Sequence, residues 1–573
     1  MNADKTATNL SRAIMLALGF GLTSTPVYSA PPAPEGVTRP GDIQPELPVP
    51  GEVPESEIEV KIKDPIADKK RAPYGVKIFV KEIQITGSSV FTAEVLKEIT
   101  APYENRVVYN SELEDVRVAL TRKYIDQGYI NSGAVLPDHK VVDGVVQMVI
   151  IEGRLTGLEI IGNDHLDSDY IKQRIKLGTG VPLNVNDLEE QIQIILESPV
   201  IEKMNSALRP GDRPGEASLT TMIKEGARVQ IAPVIDNHLS PTLGDARLLL
   251  PLYVNDLTGQ GDALSVSVAL AEGLTDSNLS WSIPLNVYDT SLSIFANDSD
   301  SEIVNGSFKD LQIKNNSQTV GFRVSHPFHR TSTNKFSMSL GMDLRQSESE
   351  LLGVGFAFTP GVPVDGKVKA TIIRFSQDWS QRGTRQVVAA RSQFSMGIDA
   401  QDATINSGAV PSGEFSAWLG QFQLARLLGD DLGQVIFRTN VQLTTDPLFA
   451  MEQYSVGGAL SVRGYLENQV VRDNGYDVSL EYRYPLVQDG DGRSVLTLAP
   501  FIDAGGSNNT TLANGSAPDF ISSVGVGLRW DPTTKIHAQV YWGHANQDFV
   551  NDGSSLQDDG IHFLLNANLL EWQ

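Results

Sequence analysis

The C-terminal part of the chain, residues 227–573, alternates hydrophobic and polar residues with a period of two. The alternation runs in segments of about ten residues, which is typical of transmembrane β-strands that face lipid on one side and a lumen on the other. In one clear segment Tyr476 and Val478 share a face, and Asp477 and Glu481 share the opposite face. About sixteen such segments can be counted, an even number, as single-chain outer-membrane barrels require.

Long and short connections alternate in the second half of this region. Turns such as 429–432 and 531–534 are short. The long polar connections are 345–365, 400–413, 446–474, 504–520 and 544–558. Outer-membrane barrels have long extracellular loops and short periplasmic turns. The alternation of long and short connections therefore predicts a barrel whose chain enters and ends on the periplasmic side. A soluble β-sandwich would also alternate, but it does not explain the parity of the connections.

Residues 76–226 show helical periodicity and an internal repeat. The β-rich run 83–87 returns about 75 positions later as 158–162. The apolar residues that line one helical face in each copy are Leu113, Val116, Leu120 and Tyr124, then Leu188, Ile192 and Ile195. Each copy predicts the order β-α-α-β-β, so 76–154 and 155–226 are interpreted as two small α+β modules.

The first 75 residues contain no such module. Lys5 and Arg12 accompany the short apolar run 13–22, which predicts a secretory signal peptide over residues 1–29. This run is too short for a membrane-spanning helix. Residues 30–75 are rich in proline and are predicted to form an extended linker. The chain is therefore expected to be exported.

Composition narrows the classes of function. The formal net charge of −24 argues against nucleic acid as a partner, because phosphate binding needs clustered lysine and arginine. There is no cysteine, and the eight histidines are scattered, so we expect neither a metal site nor a cofactor. No serine lies in a nucleophile-elbow motif, so we expect no enzyme.

Arg463 lies in the long polar connection 446–474, between two strand patterns. The residues of the predicted loop tip are Val462, Arg463, Gly464 and Tyr465. The two strands that follow place Glu481 and Asp503 on the face predicted to be interior. The guanidinium group can pair with both carboxylates if the connection folds back into the barrel. We therefore predict an inward-folded loop with Glu481 and Asp503 as its luminal partners.

Several short motifs occur in a fixed order along the chain. They are residues 124–129 (Tyr-Ile-Asp-Gln-Gly-Tyr), Leu136-Pro137, Gly144, 151–153, 208–211, Pro214-Gly215, Asp236-Asn237, Gly244, Arg247, Gly261-Asp262, 462–465 and 501–505. Each motif is weak alone, but together they resemble the TpsB transporters of two-partner secretion, the hemolysin secretion/activation proteins. The resemblance covers almost the whole mature chain. It identifies 76–154 as POTRA 1, 155–226 as POTRA 2 and 227–573 as the outer-membrane β-barrel.

The resemblance implies an outer-membrane transporter that recognises a large partner exoprotein through its POTRA modules. The exoprotein, of hemolysin, adhesin or contact-dependent toxin type, would pass unfolded through the barrel to the cell surface. Implied partners are this TpsA-type exoprotein, outer-membrane lipid and the barrel-assembly machinery that inserts the transporter itself. Substrate-binding surfaces are expected within 76–226, above all within 157–226, where a sheet edge can accept a strand.

Alternatives to a dedicated transporter remain. A general outer-membrane protein assembly factor is disfavoured by two modules rather than five, and a passive solute porin would need no POTRA modules. The modules could also merely support barrel assembly. Arg463 either keeps a transport-competent state or acts as a purely structural lock.

The chain departs from the family at His139, where glutamine is usual, and at its end, Trp572-Gln573, where an aromatic residue is usual. The linker shows no sign of the plug helix found in the family.

Overall fold

The computed structural model describes most of the chain after the linker. The described residues are 39, 56–60, 74–138, 141–429, 433–490, 492–549, 551, 555–568 and 570–572. The predicted signal peptide and His139 lie outside them. Among the described residues, no helix is both long and apolar enough to cross a membrane.

The described N-terminal region is built from nine strands and four helices. They are β1 (Ser56–Val60), β2 (Lys77–Val80), β3 (Glu82–Thr86), α1 (Ala93–Thr100), β4 (Arg106–Tyr109), α2 (Asn110–Ile125), β5 (Gly133–Val135), β6 (Val145–Ile151), β7 (Arg154–Ile161), α3 (Ser168–Leu177), α4 (Val185–Leu196), β8 (Ile201–Pro210) and β9 (Glu216–Glu225). The first module contains a three-stranded sheet in the order β3-β6-β5 and a two-stranded sheet β2-β4.

Each module has its own hydrophobic core. In the first, the stripe of α2 that sequence periodicity predicts is fully buried against the sheet, with Leu113, Val116, Leu120 and Tyr124 at its centre. In the second, α3 and α4 pack on β8 and β9. Asn184 caps α4, its side chain accepting from the backbone N–H of Asn186 (2.9 Å). Each buried leucine, isoleucine or valine contributes about 1.5–3 kcal/mol, which makes these stripes the main source of module stability.

The second module's sheet includes a strand from the proline-rich linker. Its order is β1-β8-β9-β7, and β1 pairs with β8 in parallel, from Ser56 opposite Met204 to Val60 opposite Leu208. The linker was predicted to be extended but not to join a sheet. The β8 edge is therefore already occupied.

The barrel follows, and a short two-stranded hairpin is inserted into one of its loops. Its strands are β10 (Val229–Ile231), β11 (Val234–Asp236), β12 (Arg247–Asn255), β13 (Ala263–Ala271), β14 (Leu274–Pro284), β15 (Ser291–Glu302), β16 (Lys314–Arg330), β17 (Asn334–Leu351), β18 (Val354–Gly355), β19 (Lys367–Arg382), β20 (Gln386–Ile398), β21 (Phe415–Leu427), β22 (Gln434–Thr444), β23 (Tyr454–Val456), β24 (Val470–Arg472), β25 (Asn474–Gln488), β26 (Ser494–Asn508), β27 (Phe520–Thr533), β28 (Ile536–Ala545), β29 (Ile561–Ala567) and β30 (Leu570–Trp572).

The barrel is closed and antiparallel, with sixteen strands, as the alternation predicts. The first strand is split into β10 and β11, which pair with β30 and β29 of the last strand. Short strand β18 adds only to the end of β17. Closure joins the first and last of the described strands and removes the sheet edges, which is the condition for a sheet to cross lipid.

Side chains along each barrel strand alternate between the lumen and the outer face. Asp477, Ser479 and Glu481 of β25 are buried toward the lumen, whereas Leu480 is exposed on the outside. Exposed outward side chains elsewhere are also large and apolar, for example Trp542 of β28. An apolar outer face is what a membrane-spanning barrel presents to lipid.

The long connections of the barrel differ in part from the sequence-based expectation. The connection predicted over 345–365 begins later, because β17 continues as regular strand to Leu351. The connection 446–474 is not irregular throughout: β23 and β24 form a small antiparallel hairpin within it. This connection, here called the luminal loop (residues 446–473), packs against the inner wall of the barrel, where Tyr454 and Val462 join a buried apolar cluster with Leu419 of β21.

Candidate functional site: the luminal loop and its ionic anchors

Arg463 of the luminal loop lies between the two carboxylates predicted from the sequence. Its Nε donates to Asp503 Oδ2 (2.8 Å), its Nη2 donates to Asp503 Oδ1 (3.0 Å), and its Nη1 pairs with Glu481. The backbone N–H of Arg463 also donates to Asp503 Oδ2 (3.1 Å), and Nη2 donates to Ser479 Oγ (3.1 Å). This fork-to-fork geometry uses both carboxylate oxygens of Asp503, which a lysine could not do.

Aromatic rings enclose the same guanidinium group. The Cζ atom of Arg463 lies 3.7 Å from the ring centroid of Phe501 and 4.8 Å from that of Tyr541. Tyr541 also donates its hydroxyl to Glu481 Oε1 (3.2 Å), and Arg483 Nε donates to the same oxygen (2.6 Å). The pair is therefore removed from water, where cation–π attraction and ionic hydrogen bonds are strongest.

The neighbours of Arg463 fit the loop tip closely to the barrel wall. Gly464 has φ +91°, and a Cβ on it would lie 2.8 Å from the carbonyl carbon and oxygen of Gly543. Its N–H donates to His562 Nε2 (3.2 Å). The Tyr465 hydroxyl donates to the carbonyl of Ser522 (2.9 Å). Glycine is required here both for the left-handed backbone and for the backbone-to-backbone approach.

A second anchor, which the sequence did not indicate, holds the loop on another part of the wall. Glu452 accepts from Arg345 Nη1 (2.6 Å) of β17 and from Arg374 Nη2 (2.8 Å) of β19. Arg374 also donates to Asp343 (2.5 Å). All four side chains are buried. The polarity is reversed relative to the first anchor: here the loop supplies the carboxylate and the wall supplies the guanidinium groups.

The predicted linker contributes one described residue to the same region. Arg39 is buried, donating from Nε to the carbonyl of Ala450 (3.2 Å) and from Nη1 to Asn468 Oδ1 (3.2 Å), both in the luminal loop. A residue of the N-terminal segment therefore lies inside the barrel, where the sequence predicted only a proline-rich linker.

Other motif residues stabilise the start of the barrel. Arg247 forms a two-point ion pair with Asp236, from Nη2 to Oδ2 (3.0 Å) and from Nε to Oδ1 (3.2 Å). Asp262 is buried and accepts from Trp281 Nε1 (2.7 Å) and from the hydroxyl of Thr258 (2.6 Å). Asp262 lies at the end of the barrel that faces the second module, where the Gly259 carbonyl accepts from the N–H of Asp167. Asp236 and Arg247 lie at the opposite end of the first strands, where Gln557 connects the neighbouring Asn237 to Glu467 of the luminal loop.

The second module is docked on the periplasmic turns by charged side chains. Arg174 of α3 donates from Nη2 to Asp289 Oδ1 (2.8 Å), in the turn between β14 and β15, and stacks on Tyr170 at 3.7 Å. Arg330 pairs with the same aspartate and with Glu197 Oε2 (3.0 Å) beyond α4. Burial raises the pKa of Tyr170, so its phenol remains neutral in this interface.

We expect Arg174→Ala to loosen this docking, because it leaves Asp289 with Arg330 as its remaining partner and removes the stacking on Tyr170. Hydrogen exchange of α3 and α4 in the purified full-length protein should rise severalfold, with exchange of the barrel strands unchanged. The matched control is Lys224→Ala, since Lys224 pairs with Glu202 at a largely exposed site where such pairs contribute little. Unchanged exchange in the Arg174 variant would show that the charged contacts do not hold the module.

Comparisons with known proteins agree with this architecture. The family model of the POTRA domain, ShlB-type, matches residues 78–153, and that of haemolysin secretion/activation protein ShlB/FhaC/HecB matches residues 215–530. Heme/hemopexin transporter protein HuxB of Haemophilus influenzae is 22% identical over 470 residues, which cover 79% of this chain and 81% of HuxB. Outer membrane transporter CdiB of Escherichia coli O6:K15:H31 is 25% identical over 427 residues, 69% of this chain and 67% of CdiB.

Solved structures show the same fold. The structure of CdiB from Escherichia coli superimposes with a TM-score of 0.65 at 22% identity, covering 88% of this chain and 92% of that one. BamA from Haemophilus ducreyi lacking POTRA domains 1–3 gives a TM-score of 0.53 at 14% identity, covering 86% of this chain and all of that one. At these identities the likeness concerns the fold.

The chain combines a closed sixteen-stranded barrel, POTRA modules and a charged loop folded into the lumen. This combination is typical of outer-membrane barrels that handle polypeptides. Because the family model matches more than half of its residues, the chain belongs to the haemolysin secretion/activation protein ShlB/FhaC/HecB family. It is thus an outer-membrane transporter of two-partner secretion, with its POTRA modules in the periplasm, and its family works with secreted TpsA-type partners.

Proposed function

We propose that this chain is the dedicated transporter of one large exoprotein, which its POTRA modules recognise and its barrel passes unfolded to the cell surface, without catalysing a reaction. The observation that carries the proposal is the luminal loop, tied across the lumen by oppositely polarised ionic anchors. A loop fixed by buried ion pairs has two conformations: one bound to the barrel wall and one released from it. There are two because each ion pair is either fully formed or broken. A passive solute pore has no need of a POTRA module, which the family model matches at residues 78–153.

The finer assignments form part of the same proposal. Residues 1–29 are a signal peptide removed on export, 30–75 are the proline-rich linker, 76–154 and 155–226 are POTRA 1 and POTRA 2, and 227–573 is the barrel. The apolar outer face contacts outer-membrane lipid, and the general barrel-assembly machinery inserts the chain. The description of the family as haemolysin secretion/activation proteins supports a secreted protein as the cargo.

POTRA 2 is proposed to bind the exoprotein by strand addition at the β8 edge. That edge accepts a parallel strand, as β1 demonstrates over five residues from Ser56 to Val60. Because β1 belongs to the linker, an incoming strand of the exoprotein would replace it rather than find a free edge. POTRA 1 offers a second surface, where Phe79 and Val107 face each other across β2 and β4 and both are more than half exposed.

Locking β1 onto β8 should therefore block secretion. Glu57 and Asn205 are paired in register, and the chain has no cysteine of its own, so Glu57→Cys with Asn205→Cys introduces one possible disulfide. We expect at least a tenfold fall in the exoprotein that reaches the medium, reversed by a mild reductant. The exoprotein is identified as the large protein lost from the medium when the gene is deleted.

Two controls separate strand release from the chemistry of the cysteines. Each single-cysteine variant should secrete normally. Ala207→Cys with Thr220→Cys links β8 to β9, which are internal neighbours that do not need to separate, so this disulfide should be tolerated. Normal secretion by the oxidised β1–β8 variant would exclude the β8 edge as the binding site.

A further inference from the structure

A basic cavity lies in the lumen beside the second anchor. It has a volume of about 170 Å³ and is lined by five arginines and one carboxylate, Asp343. The five arginines are Arg39, Arg323, Arg345, Arg374 and Arg391. Asn278, Asn297, Thr319 and Gln393 complete the polar part of the lining, and Phe295 is its aromatic wall. A cavity of this size can hold one carboxylate-bearing side chain, since about 150 Å³ suffices for benzene.

Three of these arginines are engaged by carboxylates. Arg345 and Arg374 share Glu452 of the luminal loop, and Arg374 also binds Asp343. Arg391 pairs with Asp378 at 2.7 Å. Glu452 thus shows how this part of the wall binds a carboxylate: two guanidinium groups from adjacent strands converge on it, and both are buried.

Arg323 of β16 is different. Its guanidinium group makes no hydrogen bond or ion pair within the described ranges of the chain, and it lies near the Phe295 ring, at 5.9 Å from Cζ to the ring centroid. Asp276 lies behind the amides of Asn278 and Asn297, from which it accepts at 2.6 and 2.8 Å. The donors of Arg323 open into a cavity that four other arginines share. An anion placed there would accept from these donors and reduce the repulsion among the guanidinium groups.

We propose that this cavity is a carboxylate-binding site on the path of the transported polypeptide, where Arg323, Arg345 and Arg374 bind acidic side chains and Glu452 of the luminal loop occupies part of the site at rest. The identity of the ligand as part of the transported exoprotein rests on the proposed function. The binding of a carboxylate in this cavity does not depend on it. Acidic segments of the exoprotein would compete with Glu452 and so favour the released loop, because both bind the same guanidinium groups.

The test uses the purified full-length protein in detergent and tetraglutamate as the probe. The protein carries a formal net charge of −24, so nonspecific attraction of a polyanion is weak and binding reports a localised basic site. By titration calorimetry at low salt we expect tetraglutamate to bind and the neutral tetraglutamine not to bind. Arg323→Gln should weaken tetraglutamate binding roughly tenfold, as the loss of a charge-assisted contact does.

Two further variants make the test specific. Arg438→Gln is the matched control, because Arg438 is an arginine of barrel strand β22 that does not line the cavity, and it should bind tetraglutamate as the wild type does. Glu452→Gln should bind tetraglutamate more tightly, because it removes the internal competitor while keeping the shape of the side chain. If tetraglutamate bound to an exposed basic surface elsewhere on the protein, the Glu452→Gln substitution would not change its affinity.

Several results would overturn the proposal. These are no binding of tetraglutamate by the wild type, equal weakening by Arg323→Gln and Arg438→Gln, or no gain in affinity with Glu452→Gln. The place on the transport path is tested separately: Arg323→Gln should slow secretion of the exoprotein severalfold, and unchanged secretion would contradict it. Failure of the proposed function would appear in the gene-deletion strain and would leave the titration unaffected.

Discussion

Replacing Arg463 by alanine should abolish secretion while the barrel remains inserted in the outer membrane. The variant leaves Asp503 and Glu481 buried without the guanidinium group that binds both of them. Removing one partner of a buried pair costs about 3–5 kcal/mol, which shifts the held-to-released equilibrium of the loop by about two to four orders of magnitude. The measurements are the exoprotein in the medium and the heat-modifiable, folded barrel in the outer membrane.

The matched control is Arg493→Ala. Arg493 pairs with Asp489 at a half-exposed turn between β25 and β26, where an ion pair contributes little, so secretion should be normal. The amount of folded barrel distinguishes the two roles considered for Arg463. If the amount of folded barrel stays at the wild-type level while secretion is lost, the anchor acts in transport. If the amount of folded barrel falls together with secretion, the anchor is a structural lock. Normal secretion by Arg463→Ala would contradict both roles.

Replacing Gly464 by alanine should have nearly the same effect without removing any charge. The new Cβ would meet the Gly543 backbone at 2.8 Å, and the residue would have to adopt φ +91°, which alanine rarely does. Backbone atoms cannot move aside as a flexible side chain can, so the loop tip must leave the wall. We expect at least a tenfold loss of secretion.

Gly490→Ala is the control for this substitution. Gly490 lies in a turn of the barrel without a positive φ, and a methyl group added there would meet no other atom within 4 Å, so the substitution should be neutral. If Gly464→Ala secreted as well as Gly490→Ala, the close approach of the loop tip to Gly543 would not matter for transport.

The fold was predictable because it follows from local regularities. The period-two alternation of β25 reports which side chains meet lipid and which meet the lumen, and the period of α2 reports the stripe that packs on its sheet. The same parity placed Glu481 and Asp503 on the inner face, and the structure brings Arg463 between them. The role of this arrangement in transport stays a prediction.

The second anchor was not predictable by the same reasoning. Arg345 was assigned to a polar connection because the sequence near it is rich in serine and glutamate, and only the regular continuation of β17 turns its side chain to the lumen. Glu452 comes from a loop without periodicity, so nothing in the sequence states which wall it meets. The strand β1 has a similar origin: its partner β8 lies about 150 residues away, and strand pairing over such a distance leaves no local pattern.

The most direct test of the central claim is a comparison of a strain that lacks this gene with its parent. The proteins of the culture medium, the cell surface and the outer membrane would be quantified in both. A dedicated transporter predicts the loss of one very large exoprotein from the medium and surface, with the other outer-membrane barrels unchanged. A broad fall in many outer-membrane proteins would identify a general assembly factor instead and would contradict a dedicated transporter.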